Sequence, residues 1–340
     1  IALIFATALF LVSAIATRQL VANSHRLSTL DIPNERSSHL TPTPRGGGLS
    51  FVATSIVGFL LLTLNSTIDR ADLLALCCAG IIVAIAGHLD DRQKISGATI
   101  RLGFHALGAI ILIVGIGFPS QISLFDRTID TGIIGSILGV LYLVWLLNLF
   151  NFMDGTDGIA AIEAIFVCIA GAILNYHVLS DINFSAPSII LATSTFGFLL
   201  YNWAPAKIFM GDIGSGYLGI AIGGLSLVAA KQQHELLWVW IILLGVFVSD
   251  ATVTLIRRLL QKQKPHVAHR SHAYQHLAIR FGSHAKVSLL VLAVNVVWLL
   301  PIAFLVADKQ LSGTTGVVVA YVPLLLTVLA LGAGKDSATN

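Results

Sequence analysis

Eleven apolar runs, each close to the length of a membrane-crossing helix, dominate this chain: near 1–18, 47–64, 71–88, 101–118, 133–149, 158–178, 187–202, 214–230, 236–256, 286–306 and 314–333. A helix needs about 20 apolar residues to cross the hydrocarbon of a bilayer. Composition agrees, because 56% of the 340 residues are hydrophobic and only 11% are charged, more apolar side chain than a water-soluble core could enclose. The expected fold is all-α: one polytopic integral membrane domain, 1–340, of about 10–11 transmembrane helices. Short alternating segments that would read as β-strands are not evident, which argues against a barrel. The opening run has no basic leader and no A-x-A-like cleavage site, so a retained first helix is expected. Cys77, Cys78 and Cys168 fall inside apolar runs and read as small packing residues, not as disulfide or metal ligands.

Basic residues orient the bundle. With the first span running outside to inside, Arg18, Arg26, Arg36, Arg45, Arg92, Lys94, Arg101, Lys207, Arg257, Arg258, Lys262, Lys264, Arg270, Arg280, Lys286 and Lys335 lie on the inner side. Only Arg70, Arg127, Lys231 and Lys309 lie outside. The bias of sixteen to four places the segments 19–46, 89–100, 148–157, 203–213 and 257–285 in the cytoplasm.

Chemistry-bearing residues gather on that same side. In NLFNFMDGTDGIA, Asn148, Asn151, Asp154 and Asp157 recur at three-residue intervals. HLDDRQK carries Asp90 beside Asp91, YNWAPAKIFMGDIGSG carries Asn202, Lys207, Phe209 and Asp212, and the longest inner loop holds His266, His269, Arg270, His272 and His276. Carboxylates at membrane depth are costly and ordinarily face a cavity or a partner. Five of them on one face repel one another, and a divalent cation is the natural neutraliser. Oxygen-only ligands suit Mg²⁺ or Mn²⁺ better than zinc, and Mg²⁺ commonly completes its shell with water and substrate phosphate. The pattern therefore predicts metal-assisted phosphoryl chemistry at the inner face.

Singly, each piece has an ordinary explanation. The aspartate pair could be a solvated helix end, and GDIGSG a turn before a helix. Gly46–Gly48 could allow close helix packing or leave room for a phosphate. The histidines could bind zinc, although Arg270 in their midst favours a cation cluster for phosphates. Glu163 and Asp250 are expected to pair with nearby basic side chains. Jointly, on one face, the ordinary explanations lose.

These segments together, from TPTPRGGG through HLDDRQK, NLFNFMDGTDGIA and NWAPAKIFMGDIGSGYLG to the His-rich loop, resemble the polyprenyl-phosphate N-acetylhexosamine-1-phosphate transferases, the membrane superfamily that includes the peptidoglycan translocase MraY and the WecA enzyme. The resemblance implies transfer of a sugar-1-phosphate from a UDP-sugar to undecaprenyl phosphate, with release of UMP, at the bacterial inner membrane. It implies Asp212 and Asn151 as Mg²⁺ ligands and Asp90 and Asp91 as the acids that orient or deprotonate the acceptor. It further implies Asp154 and Asp157 beside the nucleotide and metal, Asn202 and Phe209 at the uridine, and His269, Arg270 and His272 on the pyrophosphate. Asn148, Lys207 and Arg45 complete the expected substrate contacts.

Two departures bear on the donor. The loop reads AHRSHAYQHLA instead of the compact histidine run of the peptidoglycan translocase, and DDRQK puts Lys94 where a third acid is missing. The loop looks more like WbpL-type transferases that start O-antigen or related surface glycans, which favours a UDP-N-acetylamino sugar, 6-deoxy donors such as UDP-FucNAc or UDP-QuiNAc included. Membrane lipid is the only other partner the reading needs; a homodimer is compatible with it and nucleic acid is not. A CDP-alcohol phosphatidyltransferase is excluded because no arginine and no matching acids follow DGIA. A transporter would place its carboxylates at midspan in repeated halves, and neither feature is visible.

Overall fold

The computed structural model describes residues 2–24, 29–32, 42–64, 67–94, 97–125, 127–263 and 269–335. Arg26, Arg36, Lys264 and His266 lie outside them. The helices, in chain order, are α1 (Ala2–Ala22), α2 (Leu49–Leu62), α3 (Arg70–Asp91), α4 (Ala98–Gly115), α5 (Gly132–Met153), α6 (Ile159–Leu179), α7 (Ala186–Asn202) and α8 (Asp212–Gln232). After these come α9 (Glu235–Leu243), α10 (Gly245–Leu260), α11 (Ala273–Phe281), α12 (His284–Val294), α13 (Leu300–Ala307) and α14 (Gly313–Ala330). Among the described residues, nine helices are long and apolar enough to cross a membrane, counting α12 to α13 as one, and the bent pair α9–α10 raises this to ten. The protein is thus an all-α, multi-pass membrane protein.

Three details depart from the sequence reading. The run near 47–64 forms only the 14-residue helix α2. The run near 236–256 is not one straight span: α9 and α10 meet at 71°. The polar side chains of α10, Ser249, Asp250, Thr252, Thr254, Arg257 and Arg258, explain the break, because a straight continuation would carry them through hydrocarbon. Finally, two small antiparallel ladders do form, β1 (Thr29–Asp31) with β2 (Thr43–Arg45) and β3 (Gln121–Leu124) with β4 (Arg127–Asp130). Neither is part of a larger sheet.

The centre of the bundle is α8, whose side chains from Ile213 to Ala230 are all buried. Its sequence, DIGSGYLGIAIGGLSLVAAKQ, is rich in small residues, which let neighbouring backbones approach closely. A β-carbon at Gly219 would meet the backbone of Leu146 and Leu147 on α5. Tyr217 fills the space against α2, its hydroxyl 2.7 Å from Ser55 Oγ. Both Cys77 and Cys168 are buried and Cys78 is exposed, all as free thiols.

Glu163 is fully buried on α6 and meets the amide of Asn295, not a basic side chain. Asn295 opens a π-helical turn, Asn295–Leu299, between α12 and α13. Pro301 follows directly; it lacks an N–H and cannot complete an ordinary helical turn, which accounts for the irregularity. Asp250 instead caps a helix: it accepts Ala273 N–H at 3.0 Å and Tyr274 N–H at 2.9 Å at the start of α11, with His272 Nδ1 3.2 Å away.

Candidate active site

At one end of the bundle the segment after β2 zips onto the loop before α8. Phe209 N–H donates to Pro44 O at 2.8 Å, while Gly47 N–H and Gly48 N–H donate to Phe209 O and Met210 O at 2.9 Å each. Gly48 lies so close to Gly214 that no side chain fits between them. The glycines 46–48 therefore serve close approach, and that approach delivers Arg45 to the acids.

Arg45 Nε lies 2.8 Å from Asp91 Oδ1, and its Nη2 pairs with Asp212 Oδ1. From the first turn of α4, Arg101 Nη1 reaches Asp90 Oδ2 at 2.8 Å and Asp212 Oδ2 at 3.6 Å. Asp90 and Asn151 also come within hydrogen-bonding reach of the Asp212 carboxylate, and Asn151 Nδ2 donates to Ser215 Oγ at 3.3 Å. Burial works against the charge on Arg45, but Asp212 and Asp91 outweigh it and raise its pKa above the ordinary arginine value.

The adjacent aspartates have different positions. Gly211 precedes α8 with φ +76°, a conformation that favours glycine, and so has no side chain with which to cap the helix. Asp91 supplies the cap from α3: it accepts Asp212 N–H at 2.9 Å and Ile213 N–H at 3.2 Å, and its side chain is only 3% exposed. A carboxylate at a helix N-terminus is also favoured by the helix dipole. Asp90, by contrast, faces Arg101 and Asp212 and remains 18% exposed.

The three-residue stripe of the sequence is divided. Asn148 and Asn151 ride on α5, which ends at Met153, and Asp154 and Asp157 belong to the turn beyond it. Asn148 turns away, donating to Val144 O at 2.7 Å one helical turn back. Asp154, half-buried, holds its proton well above the usual carboxylate range; burial is the main cause, Arg45 opposes it, and Asp212, Asp91 and Asp157 add to it. Asp157 Oδ2 accepts Ala206 N–H at 3.1 Å. Asn202 is 3% exposed and uses both ends of its amide internally, accepting Gly158 N–H at 3.1 Å and donating to Ile208 O at 2.9 Å. It ties the DGTDG turn to the following loop. Lys207 is exposed and Phe209 half-buried on that loop.

Beside this turn opens a cavity of about 550 Å³ lined by Thr156, Asp157, Arg270, Gln275, Ser283 and His284 among others. His269 and His272 do not share its wall. Their rings stack at 5.0 Å, His272 is buried against Asp250, and His269 Nδ1 meets Ser271 Oγ at 2.9 Å. Burial, reinforced by His272 and Arg258, pushes the pKa of His269 down to about 3, so it is neutral at physiological pH. Of His269, Arg270 and His272, only Arg270 lines the cavity. Tyr274 anchors this loop to the turn by donating to Phe152 O at 3.1 Å. A β-carbon at Gly155 would collide with the Tyr274 hydroxyl. Gly155→Ala is expected to lower stability by about 1–3 kcal/mol, measured as a fall in the unfolding midpoint in detergent; an unchanged midpoint would mean the two segments are not coupled.

Arg101, Asp250, Tyr274 and His284 were not recognised as site residues in the sequence. Arg101 opens an apolar run, where a basic residue reads only as an orientation marker. The donor set at Asp212, with Asn151 and Asp90, is oxygen-only and fits a hard divalent cation. Among the described residues, no three His, Cys, Asp or Glu side chains converge as a ready metal cage. A cation here would take one or two protein ligands and fill its shell with water or phosphate, as Mg²⁺ does.

Fold and site together define a polytopic helical membrane protein whose acids and guanidinium groups converge at one end of a lipid-facing bundle. The model of glycosyl transferase family 4 matches residues 73–230 of the chain. It is 29% identical to a probable undecaprenyl-phosphate N-acetylglucosaminyl 1-phosphate transferase of Bacillus subtilis, over 78% of this chain and 74% of that protein. It is 28% identical to a decaprenyl-phosphate N-acetylglucosaminephosphotransferase of Mycolicibacterium smegmatis, over 92% and 84% of the two chains. A phospho-N-acetylmuramoyl-pentapeptide-transferase of Chloroflexus aggregans is 29% identical over 75% of this chain and 74% of its own.

Proposed function

We propose that this protein transfers an N-acetylamino-sugar-1-phosphate from a UDP-sugar to undecaprenyl phosphate, releasing UMP, at the cytoplasmic face of a bacterial inner membrane. The observation that carries the reading is the convergence of Asp90, Asp212, Arg45 and Arg101 at the end of an apolar bundle, with a cavity opening at the DGTDG turn that follows α5. A lipid-borne phosphate and a water-soluble nucleotide can meet there. The basic bias of the inner segments supports the cytoplasmic orientation. The names of the relatives support a polyprenyl-phosphate acceptor and an N-acetylhexosamine donor.

In the reaction an oxygen of the acceptor phosphate forms a bond to the β-phosphorus of the donor. The bond from that phosphorus to the bridging oxygen breaks, and its electron pair leaves on UMP. The acceptor is mostly dianionic at neutral pH, its second pKa being about 6, so a strong base is not required. Asp90 is the acid placed to orient it, whereas Asp91 holds the start of α8. Arg45 and Arg101 keep the Asp212 carboxylate in place, and Arg270 offers positive charge to the departing phosphate. Asp212, Asn151 and Asp90 would hold Mg²⁺ or Mn²⁺, which when bound lowers the repulsion between the two phosphate groups.

The test is UMP release by purified protein in detergent with undecaprenyl phosphate and a donor panel: UDP-N-acetylglucosamine first, 6-deoxy N-acetylamino donors next, and the muramyl-pentapeptide donor last. Release with one of the amino-sugar donors is expected, with loss on chelation by EDTA and recovery on adding Mg²⁺. Turnover of the pentapeptide donor alone would move the protein to peptidoglycan synthesis instead of O-antigen or a related envelope glycan. No release with any donor, from protein shown to be folded, would overturn the reading.

A further inference from the structure

The cavity beside the DGTDG turn has one wall that the reading above leaves unused. It is formed by Gly282, Ser283, His284 and Ala285, where α12 begins. Ser283 caps that helix, accepting Lys286 N–H at 3.4 Å, and so fixes the first turn on which His284 stands. One turn later Ser288 Oγ donates to Asp157 O at 3.2 Å, which locks α12 against the turn that carries Asp157.

His284 presents Nδ1 to Asp157. The backbone N–H of Asp157 donates to Nδ1 at 3.4 Å, and Asp157 Oδ2, already occupied by Ala206 N–H, stands 3.3 Å from the same nitrogen. An imidazole whose Nδ1 accepts the Asp157 N–H carries its proton on Nε2, and a ring that instead pairs Nδ1–H with Asp157 Oδ2 as an imidazolium carries a proton on Nε2 as well. The two nitrogens lie on opposite sides of the ring. With Nδ1 turned toward Asp157, the edge bearing Nε2 is what is left for His284 to contribute to a cavity that Arg270 and Gln275 also line. Its side chain is 17% exposed, so this donor is accessible and also partly shielded from water.

We propose, resting on the donor assignment above, that His284 binds the nucleotide-sugar directly, its Nε2–H donating to an oxygen of the diphosphate or of the sugar. Asp157 is then a positioning residue for His284. Its carboxylate and amide hold the loop and the imidazole, which explains why an acid in the site faces Ala206 and His284 and not the Arg45 cluster.

Two conservative replacements separate contact from scaffolding. Asparagine can reproduce the Nδ1 position of histidine but is too short to reach that of Nε2; glutamine can reach the Nε2 position but gives up Nδ1. Binding of UMP, UDP and the active UDP-sugar would be measured calorimetrically in detergent with Mg²⁺, for wild type, His284→Asn, His284→Gln and His284→Ala. Asn and Ala are expected to weaken UDP-sugar binding roughly tenfold, the loss of one hydrogen bond to a charged or polar oxygen, while Gln stays within about threefold of wild type. Loss shared by UMP would place the accepting oxygen on the α-phosphate or nucleoside. Loss beginning with UDP would place it on the β-phosphate, and loss confined to UDP-sugar would place it on the sugar. The opposite ranking, with Asn retained and Gln lost, would make His284 a structural prop and overturn the proposal, as would wild-type affinity in all three variants. If wild type itself bound none of the three ligands, the donor assignment would fail first and take this proposal with it.

Discussion

Asp212→Asn is expected to abolish turnover, by on the order of 10³-fold or more, while leaving the protein folded. Asp212 is the one acid that touches every other member of the cluster: both guanidinium groups, Asp90 and Asn151. Removing its charge leaves Arg45 and Arg101 without their shared anionic partner and leaves a divalent cation with a single neutral amide oxygen in place of the central carboxylate. The substitution keeps the side-chain volume, so packing at the start of α8 is preserved and the unfolding midpoint should shift by only a few degrees. UMP release at saturating donor and acceptor, with the midpoint as control, is the measurement. A variant that kept a tenth of wild-type turnover would remove Asp212 from the reaction centre.

Asp91→Ala should instead act on stability and activity together. The substitution orphans two amide N–H groups at a buried helix start and breaks the Arg45 ion pair, a combined cost of about 2–3 kcal/mol. Arg45 would retain Asp212, so the cluster loosens without dispersing. Asp91→Asn keeps one acceptor and should recover part of the stability. Thermal unfolding of both variants checks the ranking. If Asp91→Ala melted like wild type and only its rate fell, Asp91 would be acting on the acceptor and not as a cap.

The two neighbouring aspartates show what a sequence can and cannot convey. Their presence at a helix end beside other inner-face acids was legible, because carboxylates next to hydrocarbon demand a reason. Their division of labour was not, because it depends on Gly211, more than a hundred residues away, having no side chain with which to cap α8. Spans were legible wherever an apolar run stayed uninterrupted. The α9–α10 bend was missed because Ser249, Asp250 and Thr254 look tolerable in a hydropathy average, although Asp250 finds its backbone partners at the start of α11 and not along its own helix. The histidines misled for a related reason: residue type suggests cations, but burial, with His272 and Arg258 alongside, makes His269 neutral.

The seclusion of α8 has a mechanical consequence. Membranes of different thickness exert their mismatch forces on helices that touch lipid, which answer by tilting. The outer helices α1 and α4 are mostly lipid-exposed, whereas α8 touches protein along its whole apolar length. Asp212 therefore keeps its depth through contacts with its neighbours, while Arg101, on α4, moves with the bilayer. A thicker or thinner membrane should alter the Arg101 arm of the cluster before the Arg45 arm, making the site's charge balance responsive to the lipid it works in.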